Sequence, residues 1–301
     1  MALDLTSFWL AISNGELMAN TLVKGTLTGL VYGLMALGLS VIFGVVRVVN
    51  FAHGEMMVVG MYGAWLLAVH AGLDPLLAMP VMAALLFAGG YLLQRGLINR
   101  FVTRPEHVQF LLLVAVAMIL ANTALMLFGP DARTVQVDYA FDSILVGPLI
   151  LDLIRIYAAG FAILLTLLLF AFFRFTLTGK AIRAAADNLL GAQVIGLDHQ
   201  RLYALTFGIG AAAVGAGGCL MLLLIDATPM IASDFTILGF IIVILGGLGS
   251  LMGALVGGIL IGVSEALAGT LIEPSMKSMV SFGLLILVLL IRPQGLFGRR
   301  G

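Results

Sequence analysis

The chain has 301 residues, 62% of them hydrophobic and 10% charged, with a mean hydropathy of +1.17. Soluble domains carry roughly 45–50% apolar and about 25% charged residues, so too few charges are present here to coat a soluble surface. A cytosolic enzyme, a nucleic-acid binder and a disordered chain are excluded, and the 15 basic and 15 acidic residues cancel, so no bulk charge points to a polyanionic partner. A polytopic membrane protein is left.

The first residues lack a basic region ahead of their apolar stretch, which argues against a cleavable signal peptide. A helix needs about 20 apolar residues to cross the hydrocarbon core. Spans of that kind are predicted at 20–45, 54–71, 76–95, 108–128, 155–173, 202–225, 236–266 and 276–291. No alternating ten-residue pattern recurs, which disfavours a barrel. The expected fold is an all-α polytopic membrane protein of about eight segments, forming a single transmembrane domain over 1–301.

Charges between the spans divide into two sets. Arg47, Arg95, Arg100, Arg104, Arg174, Lys180, Arg183, Arg201, Arg292, Arg299 and Arg300 share their gaps with Glu106, Asp187 and Asp198. The other gaps hold Asp4, Glu16, Asp74, Asp131, Asp138, Asp142, Asp152, Asp226, Asp234 and Glu273 against Lys24, Arg133, Arg155 and Lys277. The positive-inside rule makes the first set cytoplasmic, with the N-terminus outside and the C-terminus inside.

Along the chain, Gly25, Gly29 and Gly33 form a row of small residues in the first span; Gly208, Ala212 and Ala216 form another. Four-residue spacing puts each row on one helix face, where helices approach closely within the chain or between subunits. Asn50-Phe51-Ala52-His53-Gly54-Glu55 opens the second span. Asn50 can cap that helix and Glu55 suits its positive dipole end, with Arg47 as counter-ion at the cytoplasmic interface. Equally, an ionisable group at the membrane edge can mark a polar hinge or gate. Cys219 is the only cysteine, so no internal disulfide forms.

Between the fifth and sixth spans lies 174–201, where Ala181 to Ile195 has good helix formers. Ile182, Ala185, Ala186 and Leu189 fall on one stripe, Arg183 and Asp187 on another, and Gly196 can close the helix. Such a helix either lies at the lipid interface or docks as a coupling element on a cytoplasmic ATPase. The segment 236–266 begins and ends on the outer side, so it must enter and return, or break. Gly246-Gly247-Leu248-Gly249-Ser250 can supply the break and leave backbone groups free to line a pathway; a long tilted helix with a glycine face is the simpler alternative. A third row, Gly246, Ser250, Ala254, Gly258 and Gly262, runs beside Gly249, Gly253 and Gly257, and Glu265 is a second acid inside the apolar region. His53, His70, His107 and His199 show no metal-ligand spacing. No nucleophile–base arrangement stands out, and Thr178-Gly179-Lys180-Ala181 is not a phosphate-binding loop. Any ATP used must therefore be bound by another chain.

Several motifs are similar to the permease subunits of bacterial ABC importers for branched-chain amino acids, most of all their H-type subunit. They are Gly29-Leu30-Val31-Tyr32-Gly33-Leu34-Met35-Ala36-Leu37-Gly38-Leu39 with Ile42-Phe43-Gly44, and Asn50 to Glu55 on to Gly60. Thr178 to Ala184 through Asn188 to Asp198, Leu245 to Ser250 with Gly253-Ala254 and Gly257-Gly258, and the closing Ile291-Arg292-Pro293-Gln294-Gly295-Leu296-Phe297-Gly298 complete the pattern. Many ABC permeases carry Glu-Ala-Ala and glycine in the loop; here Ala184-Ala185-Ala186 and Gly191 stand instead.

The resemblance implies a non-enzymatic inner-membrane permease. Its partners are a second homologous permease, two ATPase subunits carrying ATP and magnesium, and a periplasmic binding protein. Gly179, Ala181, Arg183, Ala184, Asn188 and Gly196 are the expected coupling residues. Asn50, His53, Glu55, Gly246, Gly249, Ser250 and Glu265 are the expected pathway or gate residues. No catalytic residue, metal or bound cofactor is expected. The family also includes urea and short-amide permeases. Among other classes, an ion-coupled carrier would place ionisable groups near the bilayer midplane, and a passive channel would need no coupling loop.

Overall fold

The computed structural model describes residues 14–298; Asp4, Arg299, Arg300 and residues 1–13 of the stretch read for a signal peptide lie outside the described residues. The helices are α1 (Gly15–Val46), α2 (His53–Ala71), α3 (Pro75–Gly96), α4 (Glu106–Phe128), α5 (Leu153–Phe175), α6 (Leu177–Asp187), α7 (Leu189–Val194), α8 (His199–Leu224), α9 (Ile231–Gly246), α10 (Leu251–Leu271) and α11 (Lys277–Ile291). Seven of them, α1, α3, α4, α5, α8, α10 and α11 with the turn before it, are long and apolar enough to cross a membrane; α9 is a shorter apolar helix. The protein is thus an all-α polytopic membrane protein, and each predicted span falls on a helix or, for 236–266, on two.

Local chemistry sets the helix starts. Asn14 accepts the Leu17 N–H at 3.1 Å, and Asp74, ahead of Pro75, accepts that of Leu76 at 2.7 Å. Thr176, Asn188, Asp198 and Ser250 cap α6, α7, α8 and α10 in the same way. Each side-chain oxygen satisfies an N–H that the helix itself leaves unpaired.

The loops gather at two ends of the bundle, in the grouping read from the charges. At one end Asn99 donates to the Gln200 carbonyl, and Val41, Phe173, Ile182, Ala192 and Leu202 share an apolar cluster. That end carries Arg47, Arg95, Arg174 and Arg201 and is called the basic end. At the other, Tyr139 donates to Asp74, Arg133 pairs backbone to backbone with Ala227, and Lys24 and Arg155 both pair with Asp152. Burial, with the Asp74 carboxylate beside it, pushes the Tyr139 phenol up. A hairpin that the sequence did not announce, β1 (Ser143–Val146) and β2 (Leu149–Asp152), lies here. Asn20 ties it to α1 by donating to the Pro148 carbonyl and accepting from the Ile150 N–H.

The small-residue rows pack within the chain. Cβ atoms built on Gly25 and Gly29 would lie 2.8 Å from Val263 Cα and 2.7 Å from the Gly258 carbonyl, so α1 and α10 meet backbone to backbone. Likewise Gly210 faces Gly38, Gly208 faces Phe87, and Gly215 faces Leu86, which wedges α8 between α1 and α3. The break in 236–266 is real: Gly247 and Gly249 take φ of 103° and 80°, and Gly246 and Gly257 approach Gly253 and Ile242. That pairing makes α9 and α10 an antiparallel pair, so the segment enters and returns.

Widening the α1–α10 seam is expected to cost stability. Gly29→Val places methyl groups where backbone stands, and overpacking of this kind costs about 1–3 kcal/mol. Gly283 in α11 has open space around it. Thermal unfolding in detergent should show a lowered midpoint for Gly29→Val and an unchanged one for Gly283→Val.

Candidate functional site

α2 starts inside the bundle. Arg47, with a φ of 57°, turns the chain at the end of α1, and residues 48–52 run back alongside that helix. His53 Nε2 then lies 3.0 Å from the Met35 carbonyl. Met35 precedes the last residue of α1 by 11 residues, about 16 Å along the axis from the basic end of that helix. The expectation of a helix start at the interface, neutralised by Arg47, is therefore corrected. Arg47 is exposed, and among the described residues no ion pair reaches Glu55.

The interior start is held from α9. Asn50 caps the turn rather than the helix, its Oδ1 accepting the Ala52 N–H at 3.1 Å. The Gly54 N–H donates to Thr236 Oγ1 at 2.9 Å. A Cβ on Gly54 would collide with the Ala232 carbonyl, so only glycine lets α9 come this near. Thr236 Oγ1 is also 3.4 Å from Glu55 Oε2 and 3.5 Å from the Phe51 carbonyl. Asn50, His53 and Glu55 are all buried, and His53 Nδ1 has no hydrogen-bond partner. Phe51 packs against Phe110 of α4 at 4.6 Å and Phe240 of α9 at 5.0 Å between ring centroids. Asn50, His53, Glu55 and Thr236 thus form one polar cluster half-way along the bundle. Thr236, Phe110 and Phe240 carry no local sequence signal; only the fold brings them to Glu55.

Gly246, Gly249 and Ser250 lie elsewhere, at the basic end. A Cβ built on Gly249 would lie 3.0 Å from Gly44 Cα, near the end of α1. The backbone groups expected to be free here are largely taken. The carbonyls of Leu245 and Gly246 accept the N–H groups of Leu296 and Phe297, both at 2.9 Å. The Gly247 carbonyl accepts the Ser250 N–H, and Ser250 Oγ accepts that of Gly253. The chain's own closing segment therefore caps α9. Gly295, with a φ of 79°, makes the cap possible by nesting against Gly247.

Glu265 occupies a third place. Tyr32 Oη donates to its Oε2 at 3.2 Å and Ser281 Oγ to its Oε1 at 3.0 Å, which joins α1, α10 and α11. Ser281 is the buried residue of α11, so this carboxylate is the polar anchor of an otherwise peripheral helix.

The loop between α5 and α8 is two helices, where one was expected. Asn188, with extended backbone, ends α6 and caps α7. Gly179 is buried against the Phe172 and Phe173 backbone, while Ile182 and Ala185 pack into the bundle. Ala181 is half-buried; Arg183, Ala184, Asn188 and Gly196 are exposed. The sequence reading passed over Leu190, Val194 and Ile195, which stand 75%, 86% and 73% exposed on and just after α7. Their i, i+4 spacing was the available signal.

Geometry and composition together define a multi-pass helical membrane protein with polar groups deep in its bundle and an exposed apolar loop at its basic end. The model of the branched-chain amino acid transport system permease component family matches residues 21–289, and the chain belongs to this family. The high-affinity branched-chain amino acid transport system permease protein LivH of Salmonella typhimurium is 30% identical over 298 residues, covering 92% of this chain and 94% of that protein. BraD of Pseudomonas aeruginosa, with the same description, is 30% identical over 291 residues, or 92% and 95%. A probable LivH of Methanocaldococcus jannaschii is 27% identical over 282 residues, 88% of each chain. This protein is accordingly the permease type of subunit, one component of a larger transport system.

Gly295→Val should release the closing segment, because the side chain has neither the space nor the dihedral range it needs. Hydrogen exchange at the Leu296 and Phe297 amides is expected to rise by about tenfold, as each lost bond is worth about 0.5–1.5 kcal/mol. Unchanged exchange would show that the segment is held by something other than these two bonds.

Proposed function

We propose that this chain provides the membrane path for a branched-chain amino acid in an ABC importer. It pairs with a second homologous permease, is driven by two cytoplasmic ATPases that bind the ATP and magnesium, and receives substrate from a periplasmic binding protein. The observation that carries this is the family match over nearly the whole chain, joined to an exposed loop at the basic end suited to docking. The names of LivH and BraD support branched-chain amino acids over urea or amides. On the positive-inside rule the basic end faces the cytoplasm, with the N-terminus periplasmic, the C-terminus cytoplasmic and the chain in the inner membrane.

Coupling is assigned to α6 and α7. Ile182, Ala185 and buried Gly179 fix α6 to α5, so a push on the loop moves a helix end instead of a floppy linker. Arg183 and Ala184 offer one exposed surface, and Leu190, Val194 and Ile195 offer an apolar one that a partner can cover. Asn188 and Gly196 set the two bends. The pathway is assigned to Asn50, His53 and Glu55, with Gly246, Gly249 and Ser250 closing the bundle beneath it and Glu265 holding α11.

Replacing Leu190 and Val194 together with aspartate, or Arg183 and Ala184 with glutamate, should lower ATP-driven leucine uptake by at least about tenfold in proteoliposomes. The permease should remain inserted, because all four side chains are exposed. Undiminished uptake in both variants would remove the docking assignment. Uptake of urea and not leucine by the unmodified system would instead overturn the substrate.

A further inference from the structure

The polar cluster borders a partly exposed strip shared by α2, α4 and α9. Phe51, just before α2, and Val59 in it are half-buried, and Glu55 between them at four-residue spacing is buried with 7% of its surface exposed. Across from them α9 presents Thr236 and half-buried Phe240, with Ser233 and Ile237 exposed beside these, and α4 presents Phe110, 40% exposed. Phe51, Phe110 and Phe240 meet on the basic-end side of Glu55, since Phe110 lies in the second turn of α4 and Phe240 is one turn past Thr236.

Among the described residues the Glu55 carboxylate takes its own backbone N–H and one side-chain donor, Thr236. Its Oε2 meets the Thr236 hydroxyl at 3.4 Å, a long contact. Among the described residues its Oε1 has no side-chain donor, and no cation pairs with the group. The α2 N-terminus supplies roughly half a positive charge, and the Gly54 N–H there is already used by Thr236. Among the described residues the group therefore lies inside the bundle with no cation beside it, a setting where ionisable groups are costly and usually serve a purpose. The aromatic faces below it are apolar and carry negative quadrupoles, so they accept both aliphatic carbon and a cation.

We propose that Glu55, Thr236 and the trio Phe51, Phe110 and Phe240 form a subsite that holds the α-ammonium group and the branched side chain of an amino acid in transit. It rests on the proposed function and adds the residues that meet the substrate. The ammonium, with three donors and no acceptor, hydrogen-bonds the Glu55 carboxylate and the Thr236 oxygen. The side chain lies on the aromatic rings. The substrate's own carboxylate stays toward the exposed Ser233 and Ile237, kept from Glu55 by like charge. A group that needs an ammonium here discriminates against neutral urea and amides.

Saturation-transfer NMR on the assembled permease–ATPase complex in nanodiscs, without binding protein, tests this with leucine as the probe. Two competitors each keep half of the zwitterion: 3-methylbutylamine has the ammonium, and 4-methylpentanoate has the carboxylate. The amine is expected to displace leucine at least about tenfold more effectively than the acid, and Glu55→Gln to remove that preference. Equal displacement by both, better displacement by the acid, an unchanged preference in Glu55→Gln, or no leucine signal would each overturn the subsite. Should Glu55→Gln fail to assemble, the preference measured on the unmodified complex, and its reduction in Thr236→Val, decide the matter. A complex that imports leucine yet shows no amine preference refutes the subsite alone; one that imports urea in place of leucine refutes the function beneath it.

Discussion

Inside a bilayer every backbone N–H and C=O must find a partner in the protein, because lipid offers none. The architecture follows from how this chain meets that demand at two helix ends, the interior start of α2 and the basic-end stop of α9. Where α2 starts half-way along the bundle, Asn50 and Thr236 take the N–H groups of Ala52 and Gly54. Where α9 stops, the amides of Leu296 and Phe297 take the carbonyls of Leu245 and Gly246. Asn50 acts locally, whereas Thr236 and the Leu296 and Phe297 amides come from distant parts of the sequence. Each broken helix is therefore a tertiary contact as well as a local one, and α9 is fastened at both ends.

Close helix approach makes those long-range caps possible. Glycine at 25, 29 and 33 lets α10 lie on α1, and glycine at 38 and 210 lets α8 lie on its other side. With α1 held on both flanks, the returning segment 48–52 has a fixed wall to run along. Gly54 then brings α9 within reach of Glu55. The same small residues that pack the bundle thus set the position and the neighbours of the buried Glu55 carboxylate. Glu265 shows the contrast: two hydroxyls satisfy it, and its work is to hold α11.

Much of this was legible in the residues. Long apolar runs mark the spans, the arginines mark the basic end, and Gly246 to Ser250 mark a break, because each signal is local. The deep start of α2 was not legible. Arg47 reverses the chain in a conformation usually left to glycine, so no glycine or proline warned of a return. The cap on α9 was hidden for a different reason: Gly295 to Phe297 read as a closing motif, and nothing in them names a carbonyl fifty residues earlier. Along the coupling loop, helix-forming residues from Ala181 to Ile195 concealed the division at Asn188, although asparagine is a preferred cap. The partners of Glu55 had the same invisibility, since Thr236 is 181 positions away.

The depth of Glu55 is the point on which the pathway rests, and it can be measured in place. A cryo-electron microscopy map of the assembled transporter in lipid nanodiscs locates both headgroup layers and the Glu55 backbone together. Glu55 is expected near the middle of the hydrocarbon, about 15 Å from each boundary of a core roughly 30 Å thick. Finding it level with the headgroups on the basic side would make α2 an ordinary helix starting at the interface, and would contradict the account.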